Sequence, residues 1–234
     1  MARRGPGGWT TLALIAGVLS APLVVFVAVF GLRFGWWGLD VALDRLSVTV
    51  VPWLLGLGAI CALLLLWRAR RTAALGWLIG LVALAMVAGG VWLYERHAFA
   101  YALTMPSPRS VSTNESDPPG LSARLTAARV AAGAVPEQTL RSTTCPGVVS
   151  IPSQLRAEDA TAALQRAGFT PLPSSLFQVE GTHEGLWFLR KHDATIRIRP
   201  GRTDVRVAPR DDRPQGGETC RLLARIVAEL QPRS

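Results

Sequence analysis

The sequence Trp67-Arg68-Ala69-Arg70-Arg71 has a long apolar stretch on each side and is the densest cluster of positive charge in the first half of the chain. An apolar stretch of about 20 residues forms a helix of roughly 30 Å, which matches the hydrocarbon core of a bilayer. Basic residues in short loops between such helices stay on the cytoplasmic side of the membrane. The cluster therefore predicts a membrane helix on either side of it and a cytoplasmic position for Arg68, Arg70 and Arg71.

Composition divides the chain into two parts near residue 95. Residues 1–95 hold seven of the eight tryptophans but only 7 of the 25 Lys+Arg and 3 of the 16 Asp+Glu. The second part has the composition of a globular domain, and about 130 residues are enough for one hydrophobic core. The formal net charge of +9 comes almost entirely from arginine, because Lys191 is the single lysine. Nucleic-acid binders usually mix both residues with stacking aromatics, so we expect no nucleic-acid partner.

Three apolar stretches predict a membrane domain over residues 1–97. Their boundaries are about 10–30, 47–67 and 73–94, and none of them contains Asp, Glu, Lys, Arg or His. The first stretch is longer than the apolar core of a signal peptide and lacks a good cleavage site, so we expect an uncleaved helix. Proton relays and ion paths usually need a charge within the membrane, which argues against a transporter.

The charges between these stretches predict the orientation of the chain. Arg3 and Arg4 precede the first stretch, and residues 31–46, between the first and the second, have near-zero net charge. Residues 31–46 also show helical spacing of apolar side chains, which predicts a helix at the membrane interface. With the arginine cluster in the cytoplasm, three crossings place the amino terminus inside and everything after residue 94 outside.

The second part of the chain predicts a linker followed by an α+β domain. Residues 98–120 include a stretch rich in Pro, Ser and Asp, which is typical of an extended linker. In residues 121–234, apolar spacing predicts helices near 121–132, 157–167 and 218–231. Alternating residues predict an antiparallel meander of four strands near 177–182, 186–190, 194–199 and 203–208. The predicted fold class is α+β: three transmembrane helices followed by a two-layer domain with an antiparallel β-meander and flanking helices.

Several short sequences in this second part resemble a known family. They are Ser112-Thr113 with Asp117-Pro118-Pro119, VEGT at 179–182 with LWF at 186–188, ATIRIRP at 194–200, TDVRV at 203–207 and IVAEL at 226–230. Together they make residues 107–231 similar to the family called domain of unknown function 1499, whose members include proteins with three preceding membrane helices. The resemblance implies a bacterial membrane or envelope protein, with the outer domain in the periplasm and the helices in the inner membrane. It implies no catalytic residues.

Two cysteines of the outer domain, Cys145 and Cys220, depart from the pattern of that family. Thiols outside the cytoplasm pair readily, so we expect a disulfide between them. The alternative is that Cys145 is the nucleophile of a hydrolase or thiol enzyme, with His183 or His192 as its base.

The pairs His183-Glu184 and His192-Asp193 contain residue types that bind metals. They flank the predicted strand 186–190, which would separate them by roughly 25–30 Å. We therefore interpret them as turn residues and expect no metal site. No nucleotide, cofactor or hydrolase motif occurs in the sequence, and we assign no cofactor and no catalytic residue.

Arg197, Arg199 and Arg206 share the sheet face opposite the isoleucines and valines. This arrangement makes the three arginines candidates for a patch that binds lipid phosphates or another anionic polymer of the envelope. Glu180 and Asp204 share the same face and would offset the positive charge, so we expect a solvated, ion-paired surface ahead of an anion-binding patch.

Trp187 and Phe188 are neighbours in a predicted strand, so one should point to the core and the other outward. The outward residue is a candidate partner surface. The sequence as a whole predicts a non-enzymatic envelope component whose partner is a membrane lipid or an envelope protein. The thiol enzyme that uses Cys145 is the second hypothesis.

Overall fold

A computed structural model of the chain describes residues 6–70, 74–95, 110–134, 136, 142–173, 175–213, 215 and 217–231. The chain divides into two units, Met1–Ala100 and Tyr101–Ser234, which are described separately. In the described residues, three long apolar helices are followed by a six-stranded sheet with helices. The predicted α+β fold class is confirmed.

The first unit contains helices α1 (Pro6–Arg33), α2 (Val51–Ala69) and α3 (Ala74–Tyr94). A π-helical segment, Asp40–Val50, leads directly into α2, so that the helix is continuous from Asp40 to Ala69. Three helices of the described residues are long and apolar enough to cross a membrane. The expectation of a membrane protein with transmembrane helices is therefore supported by helix length and composition.

The predicted interfacial helix 31–46 is not a separate element. Its first residues complete α1, which ends at Arg33, and the next helix begins at Asp40. Gly35 lies in the turn between them with a φ of 71°, a conformation that glycine adopts without steric cost. The turn interrupts the apolar spacing that predicted one helix.

Small residues bring α1 and α2 close together. A Cβ atom on Gly58 would lie 3.6 Å from the carbonyl oxygen of Gly17, and Cys61 packs in the same contact. Large apolar side chains such as Trp53 and Leu78 are exposed. Exposed apolar side chains around a contact of small residues are what a helix bundle in lipid requires.

The sheet of the second unit has the strand order β2-β1-β6-β5-β4-β3. The pairing of β1 with β2 is parallel and the other pairings are antiparallel. The strands are β1 (Ser110–Ser112), β2 (Ser142–Thr143), β3 (Thr170–Pro171), β4 (Gln178–Glu184), β5 (Lys191–Arg199) and β6 (Arg202–Pro209).

Helices α5 (Ala157–Arg166) and α6 (Glu218–Leu230) cover the apolar face of this sheet. The core between them and the strands includes Leu164, Ile196 and Leu223, all fully enclosed. A third helix, α4 (Ala123–Ala131), lies on the opposite, polar face, where its Arg129 bonds to Asp193 of β5 and Pro209 of β6.

Two predictions for this unit differ from the structure. Residues 186–190, predicted as a strand, form the turn between β4 and β5, in which Leu189 has a φ of 50°. The meander therefore has three long strands. Residues 110–112, predicted as part of the linker 98–120, form β1, because their side chains are buried against the sheet. Residues 98–109 of that linker lie outside the described residues.

Candidate functional site

A short segment covers the polar face of the sheet. This covering segment, residues 113–122, bonds to the strands through its backbone and through the side chains of Thr113, Asp117 and Ser122. Ser122 donates from its backbone N–H and its Oγ to the two carboxylate oxygens of Glu180, at 2.7 and 2.6 Å. The carbonyl oxygens of Pro119 and Gly120 accept from Arg206 and Gln178 at 3.2 and 2.9 Å. The polar face is consequently buried over much of its area, and the expectation of a solvated face is wrong there.

Three arginines and two aspartates meet where β5 turns into β6. This arginine–aspartate cluster consists of Arg197, Arg199, Arg202, Asp117 and Asp204. The Asp204 carboxylate is fully buried and accepts from Nε of Arg202 at 2.7 Å and from Nη2 of Arg197 and of Arg199 at 3.3 Å each. The Asp117 carboxylate, on the covering segment, accepts from Arg199 at 2.6 Å and from Arg197 at 3.2 Å. Arg197 and Arg199 therefore bridge a buried and a surface carboxylate.

Both carboxylates are ionised at neutral pH. Burial alone would raise the pKa of Asp204, but hydrogen bonds from Ser150 and Arg202 bring this pKa below its ordinary value. Hydrogen bonds from Arg199 and Arg197 lower the pKa of Asp117. Three guanidinium groups against two carboxylates leave the cluster with one surplus positive charge.

The two carboxylates differ in accessibility. The side chain of Asp117 is 55% exposed, whereas that of Asp204 is fully enclosed. Nε of Arg197 and Nε of Arg199 have no acceptor within the described part of the chain. The Asp117 carboxylate is therefore the acceptor of the cluster that solvent reaches, and it occupies the position next to the guanidinium groups of Arg197 and Arg199.

Only two of the three arginines considered as a patch for anionic ligands come together. Arg206 is buried beneath the covering segment, where it donates to Pro119 O at 3.2 Å and to Ser110 Oγ at 3.4 Å. Arg202, which is near these arginines in sequence, is not among the three predicted residues, although its position two residues before Asp204 on the same strand face could have identified it. Sequence reasoning missed Ser150, whose irregular surroundings carry no such signal.

At the opposite end of the sheet, Asp193 is fully buried on the polar face. It accepts from Nη1 of Arg129 at 2.6 Å, from Nη2 of Arg210 at 2.8 Å and from Oγ1 of Thr182 at 3.0 Å. Two arginines satisfy the buried charge, as burial in a low dielectric demands. Since Arg129 belongs to α4, these bonds fasten that helix to β5.

The two histidine pairs lie together, contrary to the predicted separation of 25–30 Å. His183 and His192 are direct partners across β4 and β5, with ring centroids 6.5 Å apart, because residues 186–190 form a turn. His192 is buried, its Nε2 donates to Gln215 Oε1 at 3.0 Å, and burial lowers its pKa although the charge of Glu218 opposes this. In the part of the chain that the structure describes, no group of three His, Cys, Asp or Glu residues could hold a metal ion.

Cys145 and Cys220 form a disulfide whose Cα atoms are 5.7 Å apart. The bridge spans 75 residues and ties the segment after β2 to the first turn of α6. Cys145 is also buried in the core. A cysteine in this state has no thiolate, so the thiol-enzyme hypothesis lacks its nucleophile in the oxidised protein.

Comparison of the chain with models of known protein families, with curated proteins and with solved structures finds no match. The assignment to membrane proteins therefore rests on the helices of the chain itself. Since the described residues contain three helices that are long and apolar enough to cross a bilayer, the chain is a membrane protein that also carries an α+β unit.

Proposed function

We propose that the protein is a non-enzymatic component of a bacterial envelope. In this proposal its helices cross the inner membrane, and residues 101–234 lie in the periplasm and bind an anionic group of a lipid or of an envelope protein. Arg3, Arg4 and the cluster Arg68, Arg70 and Arg71 support this topology through the positive-inside rule. The resemblance of residues 107–231 to domain of unknown function 1499 supports the envelope role.

The surplus positive charge of the arginine–aspartate cluster is the observation that carries the proposed binding. Asp204 is enclosed and holds the three guanidinium groups in place. Asp117 is the exposed acceptor, and it belongs to the covering segment and not to a strand. An external phosphate or carboxylate could therefore take over the bonds of Asp117 without disturbing the sheet.

The test is a titration of the full-length chain, held in phosphatidylcholine nanodiscs, with glycerol 3-phosphate as the probe. In the variant Asp117→Asn the competing carboxylate is absent, so we expect tighter binding. In Arg199→Gln a charge-assisted bond worth about 1.5–3 kcal/mol is lost, so we expect at least about tenfold weaker binding. Arg166→Gln is the matched control, because Arg166 pairs with Glu229 on the helices of the apolar face.

Equal affinities in Asp117→Asn, Arg199→Gln and the control, or no binding at all, would refute the site. Adding phosphatidic acid to the same nanodiscs distinguishes the two sources of the anionic group. Loss of glycerol 3-phosphate binding indicates that a lipid headgroup occupies the cluster, whereas unchanged binding indicates a ligand outside that bilayer. Weakening by added salt is expected in either case.

A further inference from the structure

The turn between β4 and β5 exposes two large apolar side chains. This Leu–Trp turn, residues 185–190, carries Leu186, which is 74% exposed, and Trp187, which is 55% exposed. Trp187 is the single tryptophan of the chain after residue 92. Adjacent exposed apolar side chains at a turn contribute nothing to the core and indicate a contact with an apolar partner.

Strand register places the Leu–Trp turn at the end of the sheet where the chain enters this unit. Val111 of β1 pairs with Val207, and the antiparallel direction sets Ser110 toward Pro209 at the end of β6. Pro209 pairs with His192 at the start of β5, directly after the turn. Ser110 is therefore about two strand spacings, or roughly 10 Å, from the strand that follows the turn.

The arginine–aspartate cluster lies at the other end of the same strands. Arg199 and Arg202 close the turn between β5 and β6, and β5 has nine residues. Nine residues of strand separate the two ends by roughly 25 Å. The Leu–Trp turn and the cluster are therefore independent surfaces.

The connection to the membrane helices is short. Fourteen residues, 96–109, lie between Glu95 and Ser110. Even fully extended, a chain of that length spans no more than about 50 Å. Arg129, in the last turn of α4, bonds to Pro209 and Asp193 and so places the end of that helix at the same end of the sheet. Its neighbour Val130 is exposed there. The exposed apolar side chains of the turn thus lie at the end of the sheet where β1 begins at Ser110.

Cationic side chains next to the Leu–Trp turn are already bonded to carboxylates. Nη2 of Arg190 lies 2.6 Å from Asp211, and Nζ of Lys191 lies 3.3 Å from Glu184. Because their charges are compensated, we do not expect these two cations to attract anionic lipids to the turn. Tryptophan prefers the headgroup layer of a bilayer, where its ring is partly apolar and its N–H can find an acceptor.

We propose that the Leu–Trp turn inserts into the headgroup layer of the bilayer that the helices cross. Leu186 and Trp187 are the inserting side chains, and the contact is apolar and independent of lipid charge. The inference does not depend on the binding proposed for the arginine–aspartate cluster, nor on which side of the membrane the unit lies.

Two leucines of nearly equal exposure provide a matched test. Leu176, 77% exposed, precedes β4, whereas Leu186 follows it, so they lie at opposite ends of that strand. Leu176→Cys and Leu186→Cys are made separately in the full-length chain with Cys61→Ala, and each receives a nitroxide label. The labelled proteins are placed in phosphatidylcholine nanodiscs, and collisions of each label with lipid-soluble oxygen and with a water-soluble nickel chelate are compared.

We expect the label at 186 to collide mainly with oxygen and the label at 176 mainly with the chelate. The result at 186 should be unchanged by added salt or phosphatidylglycerol. A label at 186 that is as accessible to the chelate as the label at 176 overturns the proposal. That outcome would assign the turn to a protein partner or to solvent.

Discussion

Arg129 and Asp193 form an ion pair that is closed off from solvent, with 2.6 Å between Nη1 and Oδ2. It joins α4 to β5 across the polar face of the sheet. Breaking a buried ion pair leaves an uncompensated charge in a low dielectric, which typically costs about 3–5 kcal/mol. Arg210 also bonds to Asp193 and can offset part of this cost.

We therefore expect Arg129→Gln to lower the free energy of opening of β5 and β6 by about 3 kcal/mol. Hydrogen exchange of these strands in the full-length chain, followed by mass spectrometry, measures that quantity. Arg156→Gln is the control, because Arg156 is 77% exposed and pairs with Asp159 on the surface, where a pair contributes less than about 1 kcal/mol. If both variants lowered the free energy of opening by similar amounts, burial would not set the strength of the Arg129–Asp193 interaction.

The disulfide between Cys145 and Cys220 should stabilise the α+β unit against unfolding. Closing a loop of 75 residues reduces the entropy of the unfolded chain, with a contribution of about 4 kcal/mol at most. We expect the paired replacement Cys145→Ser and Cys220→Ser to make peptides near both positions exchange hydrogen faster, while Cys61→Ala leaves them unchanged. Non-reducing mass spectrometry of the native protein should find one peptide that contains Cys145 and Cys220. Two free thiols there would contradict the bridge.

The buried His192 should make the α+β unit less stable as the pH falls. Burial lowers its pKa in the folded chain, so below the ordinary value of about 6.5 the unfolded chain binds a proton that the folded chain resists. This contribution is fully present above that value and is lost as the pH falls toward the lowered pKa. Pulse proteolysis in urea should therefore give a midpoint that declines below about pH 6.5 in the native protein.

In His192→Gln the urea midpoint should decline less just below pH 6.5, whatever the absolute stability of the variant, because the titrating group is gone. His183→Gln, which changes the partner across the strands, serves as the control and should keep the decline. The carboxylates of Asp204 and Asp211, whose pKa values are lowered, lose their contribution only at more acidic pH, so the two ranges are separable. An unchanged slope in His192→Gln would assign the decline to another group.

The arginine cluster Arg68, Arg70 and Arg71 between the second and third apolar stretches should decide the orientation of the chain. A fluorescent protein that folds only in the cytoplasm, fused after Ser234, should stay dark, and alkaline phosphatase at the same position should be active. Replacing Arg68, Arg70 and Arg71 by Gln removes the basic residues that hold this part of the chain in the cytoplasm, so a fraction of the fusions should become fluorescent. Bright cells with the native sequence would overturn both the topology and the proposed periplasmic role.

The helices were the most predictable part of this protein, because each carries a pattern that depends only on its own residues. The apolar stretches predicted α1, α2 and α3, and the apolar spacing near 218–231 predicted α6. The turn at 186–190 was missed because Leu186, Trp187 and Phe188 are apolar, a composition typical of strands, and the positive φ of Leu189 leaves no mark in sequence.

The site was only partly predictable, since its cover comes from another part of the chain. Alternation correctly set Arg197 and Arg199 on one face with Asp204. It could not show that the segment 113–122 would fold over that face and insert Asp117 between the guanidinium groups. A strand pattern specifies which face a side chain occupies, whereas the cover of that face depends on tertiary contacts.

The covering segment also bears on how this unit can be isolated. A fragment that starts at residue 121, where the sequence places the first helix of the domain, lacks β1 and nearly all of the cover. It would expose Glu180, Arg206 and Asp204 to water and would turn β6 into an open edge that can pair with other chains. A soluble fragment should therefore begin ahead of Ser110, and aggregation of a shorter one would reflect the lost strand and cover and not an intrinsically unstable sheet.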